Sequence, residues 1–546
     1  MRSSFRPHVW ALGATFLFCA QPAHADVAVL EDGRLFDGVE TDQKDDVLTI
    51  FFQYGDVSLP LDQVREVILS DMGSFVPQTD EERKQFEKGL VPFQGRWVST
   101  AKRDKAIDKM LAEKRAEVEE MKATRLWRNR HIEETDNFAF EVTVPKHVFE
   151  SYRDLCEAYF KEFSKGWKLR KPKDLGKLRL KFYIDRENYE QVSGAPPGAL
   201  GFFRFVRPYQ LNIYYDRLDP LGTEEVMYHE VGHYLQKLVD VEFKYPHWPG
   251  ESLCEYYAAS VWDPKKKKLE WGGIHEGRLA SIHQDIERGE WVTLEQTLTG
   301  CQERAFRDYT WGWSFVHFLM QDKTRAKNFK KFYIALAKAR DIDRTAQQYG
   351  GDRLKTVDGE AMKEAFMKYM KIKDDKALTE LEKEWHEYIQ EDLKITSARG
   401  LENAAYRALR LNRPKRAQRL YEEAIEAGTE LSLTYHRYAE VLFRDGKRSK
   451  AYENWERAVG LDPLVADYYI AWGENMLDSE ETAAEGERML RLALEIEPDN
   501  YYLERNLEAM LKAAENRIKR AKARLEKELK KRAEEEKDAE GETAGE

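Results

Sequence analysis

Apolar and polar positions along this chain change period several times, and each change marks a different kind of element. From Asp26 to about Met72 short runs alternate with a period of two: Val27 to Leu30, Arg34 to Phe36, Val47 to Phe52 and Val57 to Pro60. Asp32-Gly33, Asp37-Gly38 and Gly55-Asp56 separate them, which predicts strands joined by tight turns. Thr79-Asp80-Glu81-Glu82 predicts a helix opened by a capping box and closed by Gly89. Val91 to Val98, around Gly95, predicts a hairpin or extended tether, and Ala101 to Leu126 a highly charged helix. Strands at Phe138 to Val144, Leu178 to Ile184, Gly198 to Val206 and Gln210 to Tyr215, with helices at Val148 to Phe163 and Gly222 to Val239, predict a mixed α/β domain. It runs on through further helical segments to about Leu393.

The first 25 residues follow a different logic. Arg2 and Arg6 precede an apolar run from Val9 to Cys19, and Ala23-His24-Ala25 offers small residues around a cleavage point. This is the pattern of a removable targeting segment, so the mature chain is expected to be exported, periplasmic or extracellular. The run is too short to span a bilayer, and no other stretch is long and apolar enough to do so.

Towards the C-terminus small residues recur at a fixed offset. Ala405, Ala417 and Ala424 return 34 residues later as Ala439, Ala451 and Ala458, and again as Gly473, Gly486 and Ala493 with one residue inserted. Tyr421, Trp455 and Leu490 fill the matching bulky position, and Pro463 and Pro498 close the second and third units. Small residues at this spacing let paired helices approach closely. The pattern resembles tetratricopeptide repeats, which implies three repeats over 398–500 forming a solenoid that recruits a protein partner or substrate. A capping helix over 501–532 and a disordered charged tail over 533–546 are expected to follow.

At 546 residues the chain exceeds one ordinary core. Its net charge of −11 gives no electrostatic reason to expect nucleic acid or an anionic membrane as partner. Beyond the targeting segment only Cys156, Cys254 and Cys301 remain, an odd number without paired spacing, so packed thiols are expected rather than a disulfide framework.

The chemistry concentrates at His229-Glu230-Val231-Gly232-His233. On a helix, residues four apart share a face, so both imidazoles reach one metal ion while Glu230 faces the same point. A catalytic zinc needs a third protein ligand, and Glu251 follows in Trp248-Pro249-Gly250-Glu251-Ser252-Leu253-Cys254-Glu255-Tyr256. That stretch resembles the second-helix pattern of gluzincin metallopeptidases, commonly W-x-N-E-G-x-x-E-Y, with Gly250 and Ser252 as departures. The resemblance implies one Zn²⁺ per chain on His229, His233 and Glu251, with Glu255 holding a ligating imidazole from behind. Cys254 lies within the same stretch, but two histidines and Glu251 already suffice as ligands.

Tyr309-Thr310-Trp311-Gly312-Trp313-Ser314-Phe315-Val316-His317-Phe318-Leu319 is similar to a helix of bacterial peptidase-MA-like domains. It offers Tyr309 as an oxyanion donor, or alternatively as a packed aromatic, and His317 as packing. Gly198, Ala199, Leu200 and Gly201 precede the metal helix where gluzincins place the edge strand that pairs with substrate. The expected fold class is a multidomain α+β chain. It comprises a small SH3-like β-barrel over 26–75, a helical connector over 76–128, a zincin-type α/β peptidase domain over 129–395, and the α-helical solenoid. The expected function is peptide-bond hydrolysis by a zinc-activated water with Glu230 as general base. The rival is a peptidase-like scaffold that binds without cleaving and works through its repeats in the cell envelope.

Overall fold

The computed structural model describes residues 26–30, 34–68, 77–263, 265–300, 307–498 and 500–543. The expected targeting segment and Cys301 lie outside the described residues. The chain divides into two compact units, one of residues 1–115 with Leu494–Pro498, the other of residues 116–493 with 499–546.

In the first unit, β1 (Asp26–Leu30), β2 (Leu35–Lys44), β3 (Val47–Phe52), β4 (Gly55–Pro60) and β5 (Val64–Ile68) form one antiparallel sheet in the order β4-β3-β2-β1-β5. Leu48, Ile50, Val57 and Leu59 alternate into its buried face, as their period requires. The expected closed SH3-like barrel is not found. A single 3-10 turn, Leu61–Gln63, leads from β4 to β5, which pairs with β1; no pairing joins β5 to β4 among the described residues, so the sheet stays open. Thr79 caps α1 (Asp80–Glu87) in the expected capping box with Glu82. A hairpin of β6 (Leu90–Phe93) and β7 (Arg96–Ser99) leads into α2 (Thr100–Thr124).

The second unit is built on five strands: β8 (His131–Glu134), β9 (Phe138–Val142), β10 (Leu178–Tyr183), β11 (Gly201–Arg204) and β12 (Gln210–Tyr214). Their order is β11-β12-β10-β9-β8, with β9, β10 and β12 parallel and antiparallel strands at both edges. Phe138, Phe140, Val142, Leu178, Leu180, Phe182, Leu211 and Ile213 alternate onto one face. That face is covered by α3 (Lys146–Trp167) and α5 (Pro220–Gln236); α4 (Arg186–Ser193) lies against β10 and β12. Then come α6 (His247–Ala258), a hairpin of β13 (Val261–Asp263) and β14 (Lys268–Glu270), α7 (Glu276–Glu287) and α8 (Leu294–Thr299). A π-helical turn, Asp308–Gly312, opens α9 (Trp313–Gln321). The series continues with α10 (Lys323–Lys338), a hairpin of β15 (Thr345–Tyr349) and β16 (Asp352–Thr356), α11 (Gly359–Met370) and α12 (Asp375–Glu391).

Six helices follow as three pairs: α13 (Ala398–Arg410) with α14 (Pro414–Glu426), α15 (Ser432–Arg444) with α16 (Arg448–Leu461), and α17 (Ala466–Met476) with α18 (Ala483–Ile496). Ala405, Ala417, Ala439 and Ala451, together with Tyr421 and Trp455, are fully buried between them, which is what the recurring small and bulky positions demand. The last element is α19 (Tyr501–Thr543).

The helix pairs do not stand apart from the α/β body. α13 packs on α7, the Glu276 carboxylate accepts the Thr396 N–H at 2.9 Å, and Arg413 donates to Gln284 at 3.1 Å. Leu218 packs against Tyr435, Ala458 and Tyr468.

Candidate metal centre

Asp219 opens α5 by accepting the Gly222 N–H at 2.9 Å, with Pro220 in the first turn, a start that fixes the helix register. One face of α5 then presents His229, Glu230 and His233. The second helix, α6, begins at His247, so Glu251 sits in its second turn with Glu255 one turn later. Glu251 Oε2 lies 3.2 Å from His229 Nε2 and 3.3 Å from His233 Nε2. Ligand atoms of the three residues all fall within 4.8 Å of one another. Two imidazoles and one carboxylate, largely shielded from solvent, form the donor set that a catalytic zinc prefers.

The other nitrogen of each imidazole faces a side chain behind it, His229 Nδ1 at ion-pair distance without hydrogen-bond alignment. His229 Nδ1 stands 3.1 Å from Glu255 Oε1. His233 Nδ1 faces the Cys254 thiol at 3.5 Å, and that sulfur also accepts from Gln236 Nε2 at 3.0 Å. Glu255, itself 2% exposed, receives two hydrogen bonds from Arg278, at 2.7 and 2.6 Å, and approaches His275 at 3.3 Å. Arg278, His275 and Cys254 as an imidazole partner were not legible in the sequence. The first two come from the loop and helix after β14, with no motif attached. Cys254 shows only once α5 and α6 are set side by side.

Charge explains the local protonation. Burial alone would raise Glu251 and Glu255, but His233 and His229 beside the first, and Arg278 and His229 beside the second, hold both well below the usual carboxylate range. Burial alone would lower His229, but hydrogen bonds to Glu251 and Glu255 push it up to about 10 without a metal. Glu230 is raised, chiefly by burial, against the opposing pull of the two histidines and a backbone hydrogen bond from Phe203.

Close approach at two glycines builds the rest. A Cβ on Gly201 would lie 2.8 Å from Val226 Cγ1 and 3.4 Å from Glu230 Cγ, so only glycine lets β11 lie against α5 here. Gly312 would similarly strike Ser252 and Trp248 of α6. The π-helical turn is pinned there by Ser252 Oγ, which donates to the Asp308 carbonyl at 2.8 Å. Such turns often mark functional positions, and this one lays the Tyr309 ring parallel to His229 at 5.8 Å. Burial, then the neighbouring Glu251, Glu230 and Glu255, raise the Tyr309 hydroxyl far above its ordinary range, so it stays protonated.

Of the expected substrate strand, Leu200 and Gly201 line a cleft of about 390 Å³ that His229, Glu230 and Tyr309 also line. Gly198 and Ala199 lie in the preceding turn, closed by a hydrogen bond from the Ala199 N–H to the Pro196 carbonyl, and do not reach the cleft. β11 is an edge strand, paired only with β12 among the described residues. His317 is buried, with Nδ1 2.8 Å from the Tyr388 hydroxyl, and takes no part in the centre. Cys156 is a buried free thiol, as is Cys254. No protein-family model matches this chain, and no curated protein sequence matches it.

Proposed function

We propose that this chain is a zinc-dependent peptidase of the gluzincin type, its ion held by His229, His233 and Glu251. The observation that carries this is the convergence of those three donors within 4.8 Å beside a cleft that Glu230 and Tyr309 share. A bound zinc would supply Lewis acidity towards a substrate carbonyl and a water molecule.

The chain's own residues account for the remainder. Glu230, raised by burial, is poised to take a proton from the attacking water and return it to the leaving amine. Tyr309 keeps its hydroxyl proton and can donate to the developing oxyanion. The edge of β11 that is unpaired among the described residues offers backbone groups to an extended peptide, and Gly201 lets that strand lie close to Glu230. Glu255, with Arg278 behind it, fixes the His229 ring so that Nε2 points at the ion's position. We read the helix pairs of 398–500 as three tetratricopeptide repeats and the chain as exported, acting on peptide or protein substrates outside the cytoplasm. A scaffold without catalysis is the weaker reading, since both the base and every ligand are present.

Metal analysis of protein purified without chelator, paired with mass-spectrometric profiling of a peptide library, tests this. One equivalent of zinc and chelator-sensitive cleavage are expected. A chain that takes up no zinc, or that holds zinc yet cleaves nothing in the library, would overturn the reading.

A further inference from the structure

The cleft beside the metal centre has two unlike walls. One is the α/β body, with β11, α5 and α6. The other is the first helix of the C-terminal array, which presents Asn403, Tyr406, Arg407 and Arg410. These positions are spaced i, i+3, i+4 and i+7, so they form one face of α13. Ala404, Ala405 and Ala408, on the opposite side, are buried. The helix therefore divides its surface between array core and cleft, and its cleft face carries no apolar aliphatic side chain.

Six arginines and five carboxylates line the cleft, but they are not evenly mixed. Every lining carboxylate belongs to the α/β wall, and most are already engaged. Asp219 accepts from Arg399 at 2.5 Å and Arg437 at 3.2 Å, and Glu255 is taken by Arg278. Asp216 accepts the N–H groups of Leu218 and Asp219. Glu230 is the candidate base, and Glu225 faces Arg278 and Arg399, whose charge it stabilises. Arg407 and Arg410 stand across from this wall, with Arg186 of α4 lining the same space.

We propose that Arg407 and Arg410 form a carboxylate-binding subsite of the peptidase cleft, so that preferred substrates carry a carboxylate a few residues from the scissile bond. This deepens the peptidase reading and rests on it. Arginine suits the role because its planar fork pairs with a carboxylate through two parallel hydrogen bonds. Burial and the nearby Arg278 lower Arg407 to about 10 against the pull of Glu255 and Asp285. Tyr406, 39% exposed and covered by the Arg437 guanidinium at 3.9 Å, adds a flat surface beside the pair. The carboxylate has two possible sources, an Asp or Glu side chain or the substrate's own C-terminus.

The test uses zinc-loaded, full-length Glu230→Gln protein, which on the reading above binds peptide without turning it over. Short amidated peptides of one neutral sequence, with a single Glu or Gln moved through each position, are titrated calorimetrically. A further arm replaces the terminal amide by a free carboxylate. At one placement, Glu or the free terminus is expected to bind about 10-fold or more tightly than its uncharged counterpart. A gain confined to the free terminus assigns the C-terminal carboxylate, and a gain at an internal position assigns a side chain. Adding Arg410→Gln, Arg407→Gln or both is expected to erase the preference while leaving affinity for the neutral peptide within about 2-fold. Arg410 is exposed, so its variant guards against a misfolding artefact. Equal binding of charged and neutral peptides at every placement overturns the subsite, as does a preference that survives the double substitution. Wild-type protein that cleaves none of these peptides, while the preference persists in binding, defeats hydrolysis alone and leaves the subsite standing.

Discussion

Arg437, in the third helix of the C-terminal array, donates to Asp219, the residue that caps the helix carrying His229, across 3.2 Å. Arg399 reaches the other Asp219 oxygen, and Glu402, fully buried, bonds to both arginines. Two carboxylates and two guanidinium groups thus neutralise one another at the junction. The start of the helix that carries His229, Glu230 and His233 is held by the array, which thus serves the candidate centre as a structural wall.

Breaking that quartet should be costly. Arg437→Met leaves Glu402 and Asp219 with Arg399 alone, and removing one partner of a buried pair typically costs about 3–5 kcal/mol. Urea unfolding followed by tryptophan fluorescence is expected to show a loss of that order. Arg437→Met combined with Glu402→Gln should recover part of it. By the same logic a chain ending near Ser397 loses both arginines and the α13 wall. It is expected to melt at lower temperature and to bind zinc more weakly than the full chain. An unchanged melting temperature and zinc affinity would show that the junction is dispensable.

Glu230 touches neither imidazole as a partner and belongs to no ligand set. Glu230→Gln is therefore expected to retain one zinc while turnover falls by roughly 10²–10⁴-fold, the usual span for losing a positioned base. Metal analysis and peptide cleavage on the same preparation check both halves. Undiminished cleavage in protein free of contaminating protease would remove Glu230 from the mechanism.

Tyr309 lies over His229 from a turn whose shape depends on Gly312 and Ser252. Tyr309→Phe keeps that packing and removes only the hydroxyl. Its kcat is expected to fall roughly 10- to 1000-fold with zinc content unchanged. A kcat equal to wild type would assign the ring to packing.

Local signals in this sequence were legible where a residue's role depends on its neighbours along the chain. The period-two runs of β9, β10 and β12, the Thr79 capping box and the spacing of alanines in the helix pairs all belong to this class. So does the pairing of His229 with His233, which one helical turn enforces. What escaped depends on contacts distant in sequence. β5 pairs with β1, but no pairing joins it to β4 among the described residues, so the expected barrel is an open sheet. Arg278 finds Glu255, and Arg399 and Arg437 find Asp219 some 180 and 218 residues away. No periodicity encodes a partner at that range. The π-helical turn at Asp308–Gly312 likewise leans on a distant contact, the Ser252 hydroxyl on the Asp308 carbonyl.

The array also carries a pH-sensitive element. His436 is buried between helices, accepting from Trp455 Nε1 at 3.3 Å in its neutral form, and burial with Arg437 beside it lowers it to about 3. Its unfolded value is near 6.5. Because the folded state resists protonation and the unfolded state does not, stability is full above pH 6.5 and falls as pH drops towards 3. At pH 5 the expected loss from this one group is about 2 kcal/mol. The difference in unfolding free energy between pH 7 and pH 5 should therefore be smaller in His436→Asn by about that amount. An identical pH dependence in both proteins would rule this histidine out as its source.

Glu251 and Glu255 stand one turn apart on α6 and should separate cleanly. Glu251 Oε2 lies 3.2 and 3.3 Å from the Nε2 atoms of both histidines, so it sits where a ligand must, whereas Glu255 meets His229 only at Nδ1. Glu251→Ala is expected to purify largely metal-free. On the proposed reading Glu255 supports a ligand, and losing such a partner typically weakens affinity or activity about 10- to 100-fold. Its removal has a second consequence, because Arg278 would lose the carboxylate that takes two of its hydrogen bonds. Glu255→Gln, which keeps an acceptor for Arg278 and the side-chain shape, is thus the fairer test of the imidazole contact, and Glu255→Ala should be worse in both stability and zinc affinity. Competitive zinc titration against a chromogenic chelator ranks the variants, expected in the order wild type, Glu255→Gln, Glu255→Ala, Glu251→Ala from tightest to weakest. Near-wild-type affinity in Glu251→Ala would strike the third ligand from the centre, and with it the gluzincin assignment.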